Sequence, residues 1–235
     1  MNTSKTIIRW VTMALMALLL TACASIPPGS QADPRDPFER YNRAMFSFNQ
    51  TVDDKVIKPV ATGYMNVIPS LIRTAIGNFF GNIGDVWTAV NNYLQGKPRE
   101  GTSDVARVVL NSTFGIVGLI DVATPAGLVQ HDEDFGQTLG VWGVKSGPYL
   151  VLPIFGASTV RDGLARPVDL YAAPLNQIDP ARVENSARAL RLVDDRAALL
   201  ESTRMLEDAA LDPYLFVRDA YLQRRESRVR DGKSD

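Results

Sequence analysis

Residues 135–156, FGQTLGVWGVKSGPYLVLPIFG, constrain the fold more than any other stretch of the chain. Five of these 22 residues are glycine, where average usage of about 7% would supply one or two. Lys145 is the only charge among them; the rest is mostly aromatic and aliphatic. Gly140 and Gly143 bracket Val141-Trp142, and Lys145-Ser146-Gly147-Pro148 reads as the turn between two extended arms. Glycine gives that backbone conformational freedom, and Pro148 and Pro153 oppose a helix. The expectation is one apolar, bendable hairpin, either buried in a mixed core or serving as a flap beside a lipid, with Gly140, Gly143, Gly147 and Pro148 as its hinge positions.

The remainder of the chain reads as helical. Asp36-Pro37-Phe38-Glu39 has the order of a helix start, with Asp36 as N-cap and Pro37 at the first helical position. Phe38, Tyr41, Met45, Phe48 and Val52 follow at three- and four-residue steps. Pro59 and Pro69 are expected to limit a helical piece at 60–67, and Gly77, Gly81 and Gly84 to break the next run. Ser103 reads as the cap of a helix on which Arg107 and Asn111 share a face beside valines. An arginine there requires a partner or a wet cavity, unless the face is simply solvated. Residues 114–123, FGIVGLIDVA, are apolar and glycine-spaced, and 131–134 form an acidic loop expected to be a solvated connection. A short helix is expected at 158–164 and an irregular segment at 166–174. The longest helix is expected over 179–210 and the last from Asp212-Pro213, with a disordered tail at 226–235. No run after residue 23 reaches 18 apolar residues, so hydropathy marks no spanning helix. The amphipathic helices fit either a water-soluble core or a membrane interface.

Residues 1–22 read as an export signal rather than as part of the fold. Lys5 and Arg9 precede an apolar stretch at 10–20, and Leu20-Thr21-Ala22-Cys23 ends it as a lipoprotein processing motif, the lipobox. Cys23 is the only cysteine, so no intramolecular disulfide forms, and an acyl and diacylglycerol modification on it is expected. Ala24 follows, a pattern similar to outer-membrane sorting. Residues 23–35 then form a lipidated Pro/Gly/Ser tether. Loss of residues 1–22 removes two cations and no acid, taking the net charge from −1 to −3. That balance argues against a nucleic-acid partner. One histidine, His131, leaves little for a metal site.

Chemistry-bearing motifs are wanting. Lys145-Ser146 lacks the preceding glycine of a phosphate loop, and Gly156-Ala157-Ser158-Thr159-Val160 lacks the final glycine of a nucleophile elbow. A Ser158–His131 pair with an aspartate such as Asp162 is conceivable, because triads are set by geometry rather than order, but a single histidine and the failed elbow weigh against it. No catalytic residue and no cofactor are assigned.

Several blocks in order resemble the MlaA (VacJ) family of outer-membrane lipoproteins: LTAC, DPFERYNRAMFSFN, NFFGN, NNYLQG, RVVLNSTFGIVGLIDVA, the 135–156 stretch, and DPYLFVRDAYLQRR. The resemblance covers about residues 36–225. It implies a mainly α, single ring-shaped domain of amphipathic helices lying near the inner leaflet of the outer membrane, bound to a trimeric porin. It further implies an amphipathic channel through which mislocalised phospholipids leave the outer leaflet for a periplasmic carrier, so that lipid asymmetry is maintained. The 135–156 stretch would border that channel, and Arg107 and Asn111 would be lumen-facing polar residues. The alternative from another class is a lipoprotein phospholipid hydrolase.

Overall fold

The computed structural model describes residues 33–231, apart from the side chains of 206–209. The export signal, Cys23 and most of the tether lie outside the described residues. Helix α1, Glu39–Val52, passes through a π-helical turn at Asp53–Ile57 and continues as α2, Lys58–Val67. Pro59 therefore does not end the helix as expected. The wider turn sends the Lys58 amide back to the Asp53 carbonyl. Pro59 then falls in the first turn of α2, where its missing N–H is least costly. Asp36 is not the N-cap either. The α1 helix begins three residues later, after a turn closed by Glu39 N on Asp36 O at 3.3 Å. The Asp36 carboxylate is freed for a buried role.

Helix α3, Ser70–Leu94, runs unbroken through Gly77, Gly81 and Gly84. Two of these glycines admit neighbours: a β-carbon at Gly81 would sit 3.1 Å from Gln130 Nε2, and one at Gly77 3.4 Å from Asp194 Oδ2, whereas one at Gly84 would meet nothing within 4 Å. Gly96 reverses the chain with a φ of +77°. Its amide bonds Tyr93 O at 3.0 Å and the Lys97 amide bonds Asn92 O at 2.9 Å; the Lys97 bond spans six residues, as in a Schellman ending. Helix α4, Pro98–Thr113, packs back along α3. It starts at Pro98, a favoured first position, so Ser103 lies in its interior and is not its cap.

The expected hairpin over 135–156 is corrected. Residues Phe135–Val141 form helix α5, with Asp134 as N-cap accepting the Gln137 amide at 2.9 Å. Two of the glycines serve packing of this helix. A β-carbon at Gly136 would lie 2.5 Å from Arg225 Nη2, and one at Gly140 2.6 Å from Arg161 Nη1. Only glycine lets both guanidinium groups press against one helix face, so Gly140 is a packing position and not a hinge. The real hairpin comes later: β1, Tyr149–Leu152, pairs antiparallel with β2, Gly156–Thr159, in the register Tyr149↔Thr159. Its turn is Pro153-Ile154-Phe155, while Lys145–Pro148 belong to the link from α5.

Helix α6, Val160–Ala172, follows at once, capped by Thr159, and carries Pro167 inside it where an irregular segment was expected. After a 3₁₀ turn at Pro174–Gln177 come α7, Ala181–Ala209, and α8, Pro213–Val229. The α8 helix starts where expected: Asp212 Oδ1 accepts the amides of Tyr214 and Leu215 at 3.0 and 3.2 Å. It ends beyond residue 226, because Arg225 and Arg228 reach back to Asp134 and Asp132. The main apolar cluster centres on Tyr149, Val151 and Tyr214, packed against Met45, Phe46, Tyr221 and Leu222. Both ends of the described chain and the hairpin thus share one core.

Candidate functional site

The α3–α4 pair buries many polar side chains and leaves several valines exposed, although Phe80 and Ala89 are also buried. Asp85, Asn91, Asn92, Asp104, Arg107 and Asn111 are all buried. On the same two helices Val90, Val105 and Val109 are 40%, 44% and 56% exposed. Water would favour the reverse, since every buried polar group must be matched by a partner. Here the matching is extensive. Arg107, 2% exposed, donates from Nε to Asp85 Oδ2 at 3.1 Å and from Nη1 to Thr124 Oγ1 and Leu128 O at 3.0 and 2.6 Å. Its Nη2 lies 3.4 Å from Asp121 Oδ2. Asp85 also accepts Gln130 Nε2 at 2.9 Å. Burial nevertheless holds the Asp85 carboxyl above the usual range, against the hydrogen bonds of Gln130 and Arg107. At Asp121 burial also raises, but hydrogen bonds from Thr124 and the Arg107 charge outweigh it and leave the carboxyl lowered. Asn111 completes the set, its Oδ1 accepting the amides of Val122 and Ala123 at 2.9 and 3.0 Å. Arg107 and Asn111 are therefore brought together, as their spacing predicts. They are enclosed by partners and do not face open space.

What that network holds up is residues 114–120. Phe114, Ile116 and Val117 are 71%, 61% and 65% exposed. Ile116 and Val117 both adopt left-handed backbone, with φ of 53° and 58°, an unfavourable state for β-branched residues. The segment keeps this shape through cross-bonds: Gly118 N to Asn111 O and Ile120 N to Gly115 O, each 2.8 Å. Gly115 and Gly118 permit the closure, since a β-carbon at Gly118 would be 2.7 Å from Asn82 Nδ2. An apolar finger is thus fixed outward on a polar base.

The hairpin is held differently. Two asparagines seven residues apart on α1 hydrogen-bond the backbone of β1 and the turn after it. Asn42 Oδ1 accepts the Val151 amide at 2.8 Å and its Nδ2 donates to Tyr149 O at 3.1 Å. Asn49 repeats this one step on, with Ile154 N at 2.7 Å and Leu152 O at 2.9 Å. The turn so fixed carries Ile154 and Phe155 outward, both exposed. The link before β1 is tied at its ends by Trp142 Nε1 to Leu94 O at 2.9 Å and Tyr149 N to Arg35 O at 2.8 Å. Between these ties Gly143 and Gly147 have φ of +93° and +68°, and Pro148 leads into the strand.

The acidic loop is not a solvated connection. Asp134 caps α5 and pairs with Arg225, Asp132 pairs with Arg228, and Glu133 with Lys97. His131 Nδ1 lies 2.7 Å from Asp104 Oδ1. The buried Ser158 hydroxyl donates to Thr159 O at 3.2 Å, and Asp162 bonds Arg161, Tyr221 and Arg225. The imagined triad members are thus committed elsewhere, with no hydrogen bond joining Ser158 to His131. No cluster of three metal-ligating side chains occurs among the described residues. No helix of the described residues is long and apolar enough to cross a membrane.

The inverted α3–α4 pair had a sequence signal in the alternation of Asp85, Asn91 and Asn92 with Val86 and Val90. The Asn42–Asn49 clasp had little, since polar residues off an apolar stripe ordinarily face water. Known proteins share this architecture. A solved chain from a study of the structural basis for maintenance of bacterial outer membrane lipid asymmetry superposes with a TM-score of 0.72 at 35% identity, covering 83% of this chain and 98% of that one. The intermembrane phospholipid transport system lipoprotein MlaA of Escherichia coli is 37% identical over 93% of this chain and 88% of its own length. Its Haemophilus influenzae counterpart is 34% identical over 95% and 91%. With the profile of the MlaA lipoprotein family matching residues 34–228, nearly all of the described fold, the chain belongs to that family.

Proposed function

We propose that this protein is an outer-membrane lipoprotein that removes mislocalised phospholipids from the outer leaflet and passes them, intact, to a periplasmic carrier. The observation that carries the reading is the inversion of α3 and α4, with a hydrogen-bonded polar interior and an apolar exterior ending in the 114–120 finger. Large exposed apolar side chains on the two helices and on the finger that follows them suit contact with lipid or with a hydrophobic partner. That no described helix is long and apolar enough to span suits a body resting in one leaflet, anchored by acyl chains on Cys23 and docked on a trimeric porin. Phospholipid would move through an amphipathic channel with no bond broken. The relatives' role in phospholipid transport supports the same assignment.

The hydrolase reading remains the competing one, and a single assay separates the two. Full-length acylated protein in vesicles with labelled phospholipid and the periplasmic carrier is expected to yield intact lipid on the carrier. Release of lysolipid or fatty acid, lost in Ser158→Ala, would replace the conduit with an enzyme.

A further inference from the structure

A cavity of about 980 Å³ lies between the link before β1 and helix α8. Val144, Lys145, Ser146, Arg161, Leu222 and Val229 are among its lining residues. None of them is used by the inverted helix pair or by the asparagine clasp. We propose that this cavity is a binding site for the phosphodiester head group of a glycerophospholipid, a proposal that rests on the transport reading above.

All but one of the cations lining the cavity are paired with carboxylates on or beside its wall. Arg161 and Arg225 face Asp162 and Asp134. At the rim Arg35 pairs with Asp33 and Asp219, and Arg230 with Glu226. Lys145 is the exception. It has no hydrogen bond or ion pair among the described residues, in a stretch where it is the only charged residue. An ammonium without a carboxylate partner is the lining cation left to meet the negative charge of a phosphodiester.

Donor geometry points the same way. Arg161 is 7% exposed. Its Nε is taken by Asp162 Oδ1 at 2.9 Å and its Nη1 by Val144 O at 3.3 Å, while its Nη2 makes no hydrogen bond among the described residues. The Arg161 amide bonds Ser146 O at 3.0 Å. That bond ties the Lys145-Ser146 backbone to the start of α6. Lys145, Ser146 and Arg161 all line the cavity, and an ammonium, a hydroxyl and a guanidinium N–H are donor types suited to an anionic oxygen group. Leu222, Val229 and Val144 add apolar surface, which a glycerol backbone and the first methylenes of acyl chains would cover and a free phosphate ion would not.

The test uses full-length acylated protein in a maltoside detergent. Dihexanoyl phosphatidylglycerol, glycerophosphoglycerol and inorganic phosphate are titrated separately, with phosphorus NMR as readout. Carrier-dependent transfer of long-chain lipid is measured in parallel. Saturable binding of the dihexanoyl lipid is expected, weakened about tenfold by Lys145→Gln, the scale of one charged hydrogen bond, and kept by Lys145→Arg. Added salt should weaken binding to the native protein more than to Lys145→Gln. Lys145 is exposed, so neither variant endangers folding. Equal lipid affinity in native protein and Lys145→Gln would overturn the site. If transfer then proceeds, the transport reading survives it; if transfer also fails, that reading falls on its own evidence. Equal affinity for inorganic phosphate and the dihexanoyl lipid would make the cavity a phosphate site and overturn the lipid assignment.

Discussion

The buried carboxylate of Asp36 accepts the hydroxyl hydrogen of Tyr214, 178 residues away, so the two Asp-Pro-aromatic motifs of the chain meet inside the fold. The same carboxylate accepts Asn42 Nδ2 at 2.7 Å and lies 3.4 Å from Arg218 Nη1. Desolvation and the adjacent Asp36 hold the Tyr214 hydroxyl well above its usual range, so it stays a donor. Removing that hydrogen bond in Tyr214→Phe should cost about 1–2 kcal/mol. Asp36→Ala also strands Asn42 and weakens Arg218, so at least about 2 kcal/mol is expected. Denaturant midpoints of the detergent-solubilised protein measure both. Midpoints unchanged in both variants would mean that the two motifs meet without supporting one another.

Asp162 governs the acid limb of stability. Burial pushes its carboxyl upward, but the charge and hydrogen bonds of Arg225, with those of Arg161, outweigh burial and leave it lowered. A lowered folded value contributes stability that is fully present above the ordinary aspartate value of about 4 and is lost as pH falls through the folded value. Asp85 has the opposite sign: its raised folded value means that protonation on acidification favours the folded state. Thermal midpoints of the native protein should therefore drop at acid pH, and Asp162→Asn should flatten that drop while lowering the midpoint at neutral pH. An acid limb equally steep in the variant would assign it to other carboxylates.

Asn49 is expected to control the Pro153–Phe155 turn without supporting the rest of the fold. Asn49→Ala removes one bond to Leu152 O and one from Ile154 N. Asn42→Ala strips a fully buried side chain of its partners in β1 and at Asp36. Amide exchange at Ile154 should rise at least about tenfold in Asn49→Ala, the equivalent of about 1.4 kcal/mol, with little change in the global midpoint. Asn42→Ala should lower the global midpoint. Equal global effects of both would make the clasp a single structural unit.

Acylation at Cys23 is tested by Cys23→Ala, which removes the atom that would carry the lipid. The variant should accumulate unprocessed or in the periplasm, because stable anchoring needs more than one acyl chain or an equivalent second signal. Outer-membrane fractionation with unchanged lipid asymmetry would show that the embedded surface alone suffices.

The sequence was legible where local chemistry decided the outcome. Asp212-Pro213 started α8 because a carboxylate beside a favoured first residue is a local event. It was misleading where distant groups decided. Gly136 and Gly140 looked like the freedom of a hairpin, yet they serve a helix onto which two arginines press from α6 and α8. Asp36-Pro37 looked like a cap, yet a tyrosine from the far end of the chain claimed the carboxylate. Pro59 and Pro167 looked like stops, yet one met a π turn and the other remained within a helix. Arg107 and Asn111 were grouped by their spacing. That they face inward and the valines outward depends on partners in the 121–128 loop, which no periodicity reveals.

The link before β1 is where glycine as a hinge can still be argued. Gly140 is excluded, because its place in α5 is explained by Arg161. Gly143 and Gly147 bracket Val144–Ser146 and both need positive φ. They differ in surroundings: a β-carbon at Gly147 would meet Val160 Cβ at 3.3 Å, whereas one at Gly143 would meet nothing within 4 Å. Gly143→Val thus adds only backbone strain, about 1–2 kcal/mol, and stiffens the link, while Gly147→Val adds crowding as well. The link is tied at Trp142 and Tyr149 and also at Val144, Ser146 and Pro148, so Gly143 and Gly147 lie between fixed points, and hinges are a few positions that absorb conformational change. Gly143→Val is therefore expected to alter outer-leaflet phospholipid content by more than its loss of folded protein explains, with porin co-purification intact. Outer-leaflet phospholipid, thermal midpoint and bound porin are measured on the same cells. A change in phospholipid that tracks the amount of folded protein alone would leave both glycines with a conformational role and no part in lipid movement.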